Sequence, residues 1–294
     1  MTTAAKVKEL RDLTGAGMME CKRALEASQG DREKAIAHLR KSGQAKAEKR
    51  SGKVAAEGLV LLHSDPEGHR ALIIEVNTET DFVARDANLA AFSKVLTETA
   101  WAAKVSDLNE LLKLKLNDGS GHTVEEARQA LVSKVGENIV IRRLAVSNPQ
   151  AKGVGAYRHG TRIAVIVELD VDNKELGKDL AMHIAASRPA VISQSDVSPE
   201  LIAKEKEIYA AQSASSGKPA EIIEKMAAGK LKKFLDEVSL LGQRFVKQDD
   251  ITVSELLKQK GAKVISFTRF EVGEGIEKIK EDFAQAVMSQ IQGS

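Results

Sequence analysis

The chain has 294 residues, of which 44 are Lys or Arg and 42 are Asp or Glu, so its formal net charge is only +2. This balance gives no electrostatic reason to expect a nucleic-acid-binding protein, which normally concentrates positive charge on one face. A single cysteine, Cys21, excludes an intramolecular disulfide framework and fits a reducing compartment. We therefore expect a cytoplasmic protein of two or three domains.

The hydropathy pattern predicts neither a signal peptide nor a membrane span. Residues 1–10 lack the apolar core of a signal peptide, and no stretch approaches the ~20 apolar residues of a membrane-spanning helix. Long runs rich in Ala, Glu, Lys and Leu favour a largely helical protein.

Residues 1–43 predict three short helices joined by glycine turns. Apolar residues recur at helical spacing in each of them. They are Val7, Leu10 and Leu13 in the first helix, Met18, Cys21, Ala24 and Leu25 in the second, and Ala35, Ile36 and Leu39 in the third. Asp31 is a good N-cap for the third helix, and Gly43 should end it. The module resembles a ubiquitin-associated domain, and it is too small to enclose an active site, so we expect it to dock.

The rest of the chain contains an internal duplication. Each copy begins with a predicted hairpin, continues with helix, and ends with an S/T-x-x-E capping box that opens a helix before a last strand. The predicted strands are 58–63, 71–76 and 139–144 in the first copy and 153–159, 164–169 and 264–270 in the second. The capping boxes begin at Thr123 and Thr252. This pattern predicts a duplicated α+β core of two subdomains with antiparallel sheets.

An inserted segment lengthens the second copy. From His63 to His159 is 96 positions, whereas Thr123 to Thr252 is 129, which leaves 33 additional residues. These residues are helical on both sides of a turn at 215–219, so they predict an antiparallel helical hairpin. We expect this hairpin to serve association, either with another copy of the chain or with another assembly.

We divide the chain into six segments on these grounds. They are a three-helix module (1–43), a linker that can be helical in part (44–56), a first core subdomain (57–147), a second core subdomain (148–194 and 230–271), the inserted helical hairpin (195–229) and a C-terminal helical module (272–294). The sequence leaves open whether the C-terminal module folds back on its own domain or contacts a partner.

No constellation of residues indicates catalysis. The six histidines are scattered, without an HExxH motif or a Cys/His pair at metal-binding spacing. The glycines at Gly153 and Gly155 are not followed by the helix and lysine of a phosphate-binding loop. We therefore expect no enzyme, no cofactor and no metal site.

Two positions suit a protein–protein contact. After the predicted strand 71–76, Asp81 could cap a helix and Phe82 could pack beneath it. Alternatively, Phe82 lies beside a carboxylate on a loop tip, where it can act as a wedge in a partner's crevice. Met18 and Met19 are adjacent on a helix, so at least one must be exposed, where methionine suits a docking surface.

Residues 10–25 and 75–85 closely resemble the two signature segments of the elongation factor Ts family. Residues 157–163 and 269–277 also look like segments of that family, so the resemblance covers essentially the whole chain. Thr78 departs slightly from the family, in which a smaller residue such as Cys is common. The inserted hairpin resembles that of the long bacterial form.

The resemblance implies a guanine-nucleotide exchange factor for the GTPase EF-Tu. In the family, one loop enters the GTPase domain and disturbs its Mg²⁺ ion and phosphate site. The residues matching that loop are Thr80, Asp81, Phe82 and Val83. Those matching Arg11, Met18 and Met19 dock the N-terminal module on the same domain. The residue matching His159 contacts another EF-Tu domain, although without the resemblance it would be an ordinary turn histidine.

Two other classes of function are open on pattern alone. A scaffold built from the same modules would bind a partner without changing the partner's affinity for its ligand. The basic residues 46–53 could instead bind RNA, which predicts a salt-sensitive affinity. The resemblance favours EF-Tu as the partner, with no direct nucleic-acid partner and no membrane.

Overall fold

The computed structural model describes residues 2–214 and 219–277. They form two compact units. The first comprises residues 2–61, 74–144 and 271–277, and the second comprises 62–73, 145–214 and 219–270. The described residues contain helices, two three-stranded sheets and one two-stranded sheet, which confirms the predicted α+β class.

Three helices form the N-terminal module: α1 (Ala4–Thr14), α2 (Met18–Ala27) and α3 (Arg32–Arg50). Thr3 and Asp31 cap α1 and α3 through their side chains, and Gly15 ends α1 in the left-handed conformation. The three helices enclose a small core. Its buried members are Val7, Leu10, Cys21, Ala24, Leu25 and Ala35.

Three expectations for this module are wrong. Gly43 does not end α3, which continues to Arg50 through the first half of the predicted linker. Gly43 is buried within α3, and a Cβ atom there would meet Ser133 of α7 at 3.8 Å, an ordinary contact distance, so this glycine is an interior helix position that faces α7. Leu13 and Met18, each predicted on an apolar face, are 62% and 58% exposed. The core of the module takes only Val7 and Leu10 from α1 and begins at Cys21 in α2.

The first three-stranded sheet has the order β1 (Glu57–Ser64), β2 (Ala71–Thr78), β3 (Ile139–Val146). Its central strand β2 is buried at every position. Four helices lie between β2 and β3: α4 (Asp81–Ala84), α5 (Ala87–Ala103), α6 (Leu108–Lys113) and α7 (Val124–Val135). The predicted capping box is confirmed at the start of α7, where Thr123 and Glu126 each bond the other's backbone N–H.

The second sheet repeats this strand order with β4 (Gly153–His159), β5 (Ile163–Leu169) and β8 (Val264–Glu271). Strands β4 and β5 pair antiparallel, from Gly153 opposite Leu169 to His159 opposite Ile163. Between β5 and β8, apart from the inserted helices, lie α8 (Lys174–Ser187), β6 (Arg244–Phe245), β7 (Gln248–Thr252) and α11 (Val253–Lys260). A capping box of Thr252 and Glu255 opens α11, as predicted. The shared strand order and capping boxes confirm the duplication.

The backbones of β4 and α8 approach very closely in the second unit. A Cβ atom on Gly155 would lie 2.0 Å from the carbonyl carbon of Gly177. The two glycines therefore serve packing, because any side chain at Gly155 would overlap the helix backbone. The core beneath them includes Val165, Leu180 and Ile184.

The predicted inserted hairpin consists of α9 (Pro199–Ala214) and α10 (Ala220–Val238). The two helices pack antiparallel, since the rings of Tyr209 and Phe234 lie 6.5 Å apart and Lys230 donates to Gln212 at 3.3 Å. The turn between them at 215–218, and the helix predicted within 278–294, lie outside the described residues. The six segment boundaries stay predictions.

Candidate partner-docking surface

The predicted wedge loop begins where β2 ends. Thr80 is the N-cap of the four-residue helix α4, and its hydroxyl accepts a hydrogen bond from the Val83 N–H at 3.4 Å. The expectation that Asp81 caps this helix is therefore wrong. Asp81 is instead the first residue of α4, and its carboxylate pairs with Arg85 at 2.9 Å.

Phe82 projects from this loop into solvent, with 82% of its surface exposed. The alternative that it packs beneath the following helix is wrong. Burying a phenylalanine side chain is worth ~1.5–3 kcal/mol, a gain that this fold leaves unused. An aromatic side chain held in water in this way is suited to a partner that covers it.

The loop backbone is fastened on two sides. The Thr80 N–H and hydroxyl donate to the carboxylate of Glu137 at 3.0 and 2.7 Å. The Thr78 hydroxyl donates to the Thr80 carbonyl at 2.7 Å, so the threonine that departs from the family pattern serves the same loop. Sequence reasoning missed Glu137, whose only local signal is its place in the turn after a capped helix.

Met18 and Met19 lie on the exposed side of α2, with 58% and 62% of their surfaces exposed. The prediction that at least one is exposed is confirmed. Both methionines border one pocket in the first unit. Its other lining residues are Arg11, Gly15, Ala16, Gly17, Glu20, Arg23, Ser133 and Lys134. The structure thus brings the three predicted docking residues of the N-terminal module together.

Cationic side chains surround these methionines. Arg11, Arg23 and Lys134 all line the pocket. The Lys134 ammonium donates to the Asn88 side chain at 2.6 Å, so this cation from α7 is held at the rim. The lining of this methionine pocket thus combines two exposed methionines with three cations and one carboxylate, Glu20, which is paired with Lys46. Such a surface complements a partner that carries an apolar ridge and acidic groups.

Part of the basic segment 46–53 is engaged internally. Lys46 pairs with Glu20, and Arg50 pairs with Glu79 at 3.4 Å and donates to the Gly136 carbonyl at 2.8 Å. The Lys46 pair joins α3 to α2, and the two Arg50 contacts join the end of α3 to the first core subdomain.

His159 is the last residue of β4 and is exposed at the tip of the β4–β5 hairpin in the second unit. Its Nδ1 lies 3.1 Å from the Tyr157 hydroxyl. This hydrogen bond orients the imidazole while leaving the ring accessible.

Among the described residues, no group of three or more His, Cys, Asp or Glu side chains could hold a metal ion. Within the same residues, no helix is both long and apolar enough to span a bilayer. The exposed loop and the methionine pocket both present apolar side chains to solvent, Phe82 in the loop and Met18 and Met19 in the pocket.

Residues 79–274 match the family model described as Elongation factor TS. The chain belongs to the elongation factor Ts family. Similar relatives named Elongation factor Ts occur in Thioalkalivibrio sulfidiphilus (52% identical), Francisella tularensis subspecies novicida (53%) and Legionella pneumophila (49%). Each alignment covers 99% of this chain and 98–99% of the relative. The resemblance of the sequence to elongation factor Ts is thus confirmed, and the chain is an elongation factor of protein biosynthesis.

Proposed function

We propose that the chain is a guanine-nucleotide exchange factor for EF-Tu and acts in the cytoplasm. Membership of the elongation factor Ts family supports the exchange role in general. We further propose that the loop Thr80–Val83 enters the GTPase domain and disturbs its Mg²⁺ and phosphate site, which promotes GDP release during elongation. The exposed Phe82 on a fastened loop is the observation that carries this finer proposal.

Exchange requires coupling between two binding equilibria and no bond chemistry. A protein that binds nucleotide-free EF-Tu more tightly than the GDP complex must weaken GDP binding by the same factor. A thousandfold weakening corresponds to about 4.1 kcal/mol of differential binding. Burial of Phe82 in the partner can supply ~1.5–3 kcal/mol of it. Loss of the charge neutralisation that Mg²⁺ gives the phosphates can supply the remainder.

The docking energy comes from a different part of the surface in this proposal. Arg11, Met18 and Met19 hold the GTPase domain through the methionine pocket, and His159 contacts another domain of EF-Tu. Such contacts persist whether or not GDP is bound, so they set affinity without driving release. The proposal therefore assigns affinity and release to different residues.

The release of fluorescent GDP from EF-Tu at fixed Mg²⁺ tests the proposal. Catalytic amounts of the chain should accelerate release over many turnovers. Phe82→Ala should lower the maximal release rate about tenfold or more, because ~1.5–3 kcal/mol of coupling is lost, while docking affinity changes less. Ile265→Ala, which truncates an exposed side chain on β8, is the matched control and should release GDP at the wild-type rate.

Two results would contradict this account. Binding to EF-Tu without faster release would leave a scaffold as the function. Equal losses of release rate and affinity in Phe82→Ala would mean that Phe82 is a docking contact and not the wedge.

A further inference from the structure

Glu137 uses both oxygens of its carboxylate on one residue of the loop. Its Oε2 accepts the Thr80 backbone N–H at 3.0 Å, and its Oε1 accepts the Thr80 hydroxyl at 2.7 Å. Because the hydroxyl hydrogen is directed to Glu137, its oxygen lone pairs are free to cap α4 through the Val83 N–H. Glu137 therefore fixes the group that starts the helical turn carrying Phe82.

A reciprocal contact runs beside this one. The Glu79 carboxylate accepts the backbone N–H of Asn138 at 2.6 Å. Two adjacent loop residues are thus bonded to two adjacent residues of the turn between α7 and β3. Thr80 donates to Glu137, and Asn138 donates to Glu79. Hydrogen bonds to charged acceptors are stronger than those between neutral groups. The carboxylates of Glu137 and Glu79 together therefore restrict the position of the loop more than a single hydrogen bond would.

The same turn also holds the end of the N-terminal module. The side-chain amide of Asn138 donates to the carbonyls of Ser51 and Lys53 at 3.4 and 2.8 Å. The Arg50 side chain donates to the Gly136 carbonyl. The module that carries Met18 and Met19 and the loop that carries Phe82 are therefore attached to one three-residue turn, Gly136–Asn138, within the first unit.

A wedge acts only if it keeps its shape when pressed against a partner. Ordering a mobile loop on binding consumes interaction energy, so a loop that is fixed beforehand passes more of that energy to the partner. We propose that Glu137 is a positioning residue for exchange: by holding Thr80 with both carboxylate oxygens, it presents Phe82 in the orientation that the GTPase domain meets. This inference rests on the proposed function and deepens it.

The experiment compares Glu137→Ala and Glu137→Gln in the full chain. Fluorescent GDP release is measured against increasing concentrations of each variant, which separates the maximal rate from the half-saturating concentration. Glu137→Ala should lower the maximal rate about tenfold, the factor given by 1.4 kcal/mol, and change the half-saturating concentration less than about threefold. Glu137→Gln keeps one acceptor, so it should retain more activity.

Glu125→Ala is the matched control. Glu125 lies in the first turn of α7, the helix that ends just before Glu137, and its carboxylate accepts bonds from Arg128 and Gln129 rather than from the loop. Melting temperatures and amide hydrogen exchange are recorded for all variants. Glu137→Ala should speed exchange at the Thr80 and Val83 amides about tenfold, whereas Glu125→Ala should leave both amides protected as in the wild type.

The double variant Phe82→Ala/Glu137→Ala decides whether Glu137 acts through the wedge. If it does, Glu137→Ala should reduce the maximal release rate less than about twofold in the Phe82→Ala background, because the aromatic side chain that Glu137 positions is already missing. Full additivity would overturn the inference, as would a wild-type maximal rate in Glu137→Ala. If the wild type itself failed to accelerate GDP release, the proposed function would fail and this inference with it. If the wild type accelerated release and Glu137→Ala did so equally well, only the inference about Glu137 would fail.

Discussion

The carboxylate of Glu75 lies 2.5 Å from the Arg143 guanidinium, Oε2 to Nε, in the interior of the first unit. Glu75 is completely buried, and its Oε1 accepts bonds from Arg142 at 3.1 Å and from the Gly273 N–H at 2.8 Å. The two arginines also donate to the carbonyls of Glu271 and Glu274. One carboxylate thus joins β2, β3 and the segment after β8.

Glu75→Ala should destabilise the first unit by roughly 3–5 kcal/mol, because two arginines lose their buried counter-charge. Urea unfolding followed by circular dichroism measures this loss. Exposed Glu221, paired with Lys225 on α10, supplies the control, since Glu221→Ala should change stability by less than about 1 kcal/mol. Similar losses in both variants would mean that the buried network contributes no more than a surface pair.

The same network predicts an acid limit to stability. Burial alone would raise the pKa of Glu75, but hydrogen bonds from the Gly273 N–H, Asn77 and Arg143 outweigh burial and hold the pKa below its usual 4.5. A depressed folded-state pKa gives stability that is present above pH 4.5 and is lost as pH falls through the folded value. Glu75→Gln should be less stable at pH 7 and show a shallower acid decline, which unfolding curves from pH 7 to pH 3 would reveal.

His183 makes the second unit sensitive to mildly acidic pH. The buried imidazole donates from Nε2 to Gln243 at 2.9 Å and accepts the Val246 N–H on Nδ1 at 3.2 Å. Burial lowers its pKa below 6.5, and the hydrogen bond to Gln243 only partly opposes this. The folded state therefore binds fewer protons than the unfolded chain below pH 6.5, so stability should fall as pH decreases from 6.5.

Unfolding midpoints at pH 7.5 and 5.5 test this sign. The wild type should be less stable at pH 5.5 than at pH 7.5. His183→Gln should be less stable than the wild type at pH 7.5 and should show no such difference between the two pH values. His159→Gln serves as the control, since His159 is exposed and should keep the wild-type dependence. A rise in wild-type stability on acidification would show that His183 gains a proton in the folded state.

Short sequence motifs and helical spacing predicted most helices and strands of this fold. The features that they did not predict depend on contacts between residues far apart in the sequence. The capping boxes at Thr123 and Thr252 needed only four residues each, and both are present. The prediction that Gly43 ends α3 failed because α3 packs on α7, a helix from a distant part of the chain, where Gly43 faces Ser133. Glu137 escaped prediction for the same reason, as it lies 57 positions from Thr80.

The space around Gly155 and Gly229 predicts opposite effects on stability when each is replaced by alanine. Gly155→Ala should destabilise the protein by more than about 3 kcal/mol, since the new Cβ would overlap the Gly177 backbone at 2.0 Å. Gly229 lies within α10 with open space around it, so Gly229→Ala should stabilise by ~0.5–1 kcal/mol. Melting temperatures compare them, and a Gly155→Ala variant as stable as the wild type would contradict the observed packing.

The methionine pocket predicts a kinetic signature opposite to that of Phe82. Met18→Ala and Met19→Ala should each raise the half-saturating concentration for GDP release about five- to thirteenfold, because an exposed apolar side chain buried on docking is worth ~1–1.5 kcal/mol. The maximal rate should stay near the wild-type value, since in the proposed function these residues contact EF-Tu whether or not GDP is bound. Leu201→Ala on α9 truncates another exposed apolar residue and should alter neither quantity. A lower maximal rate in either methionine variant would mean that docking and release are not separable, because the module and the wedge loop share the turn at Gly136–Asn138.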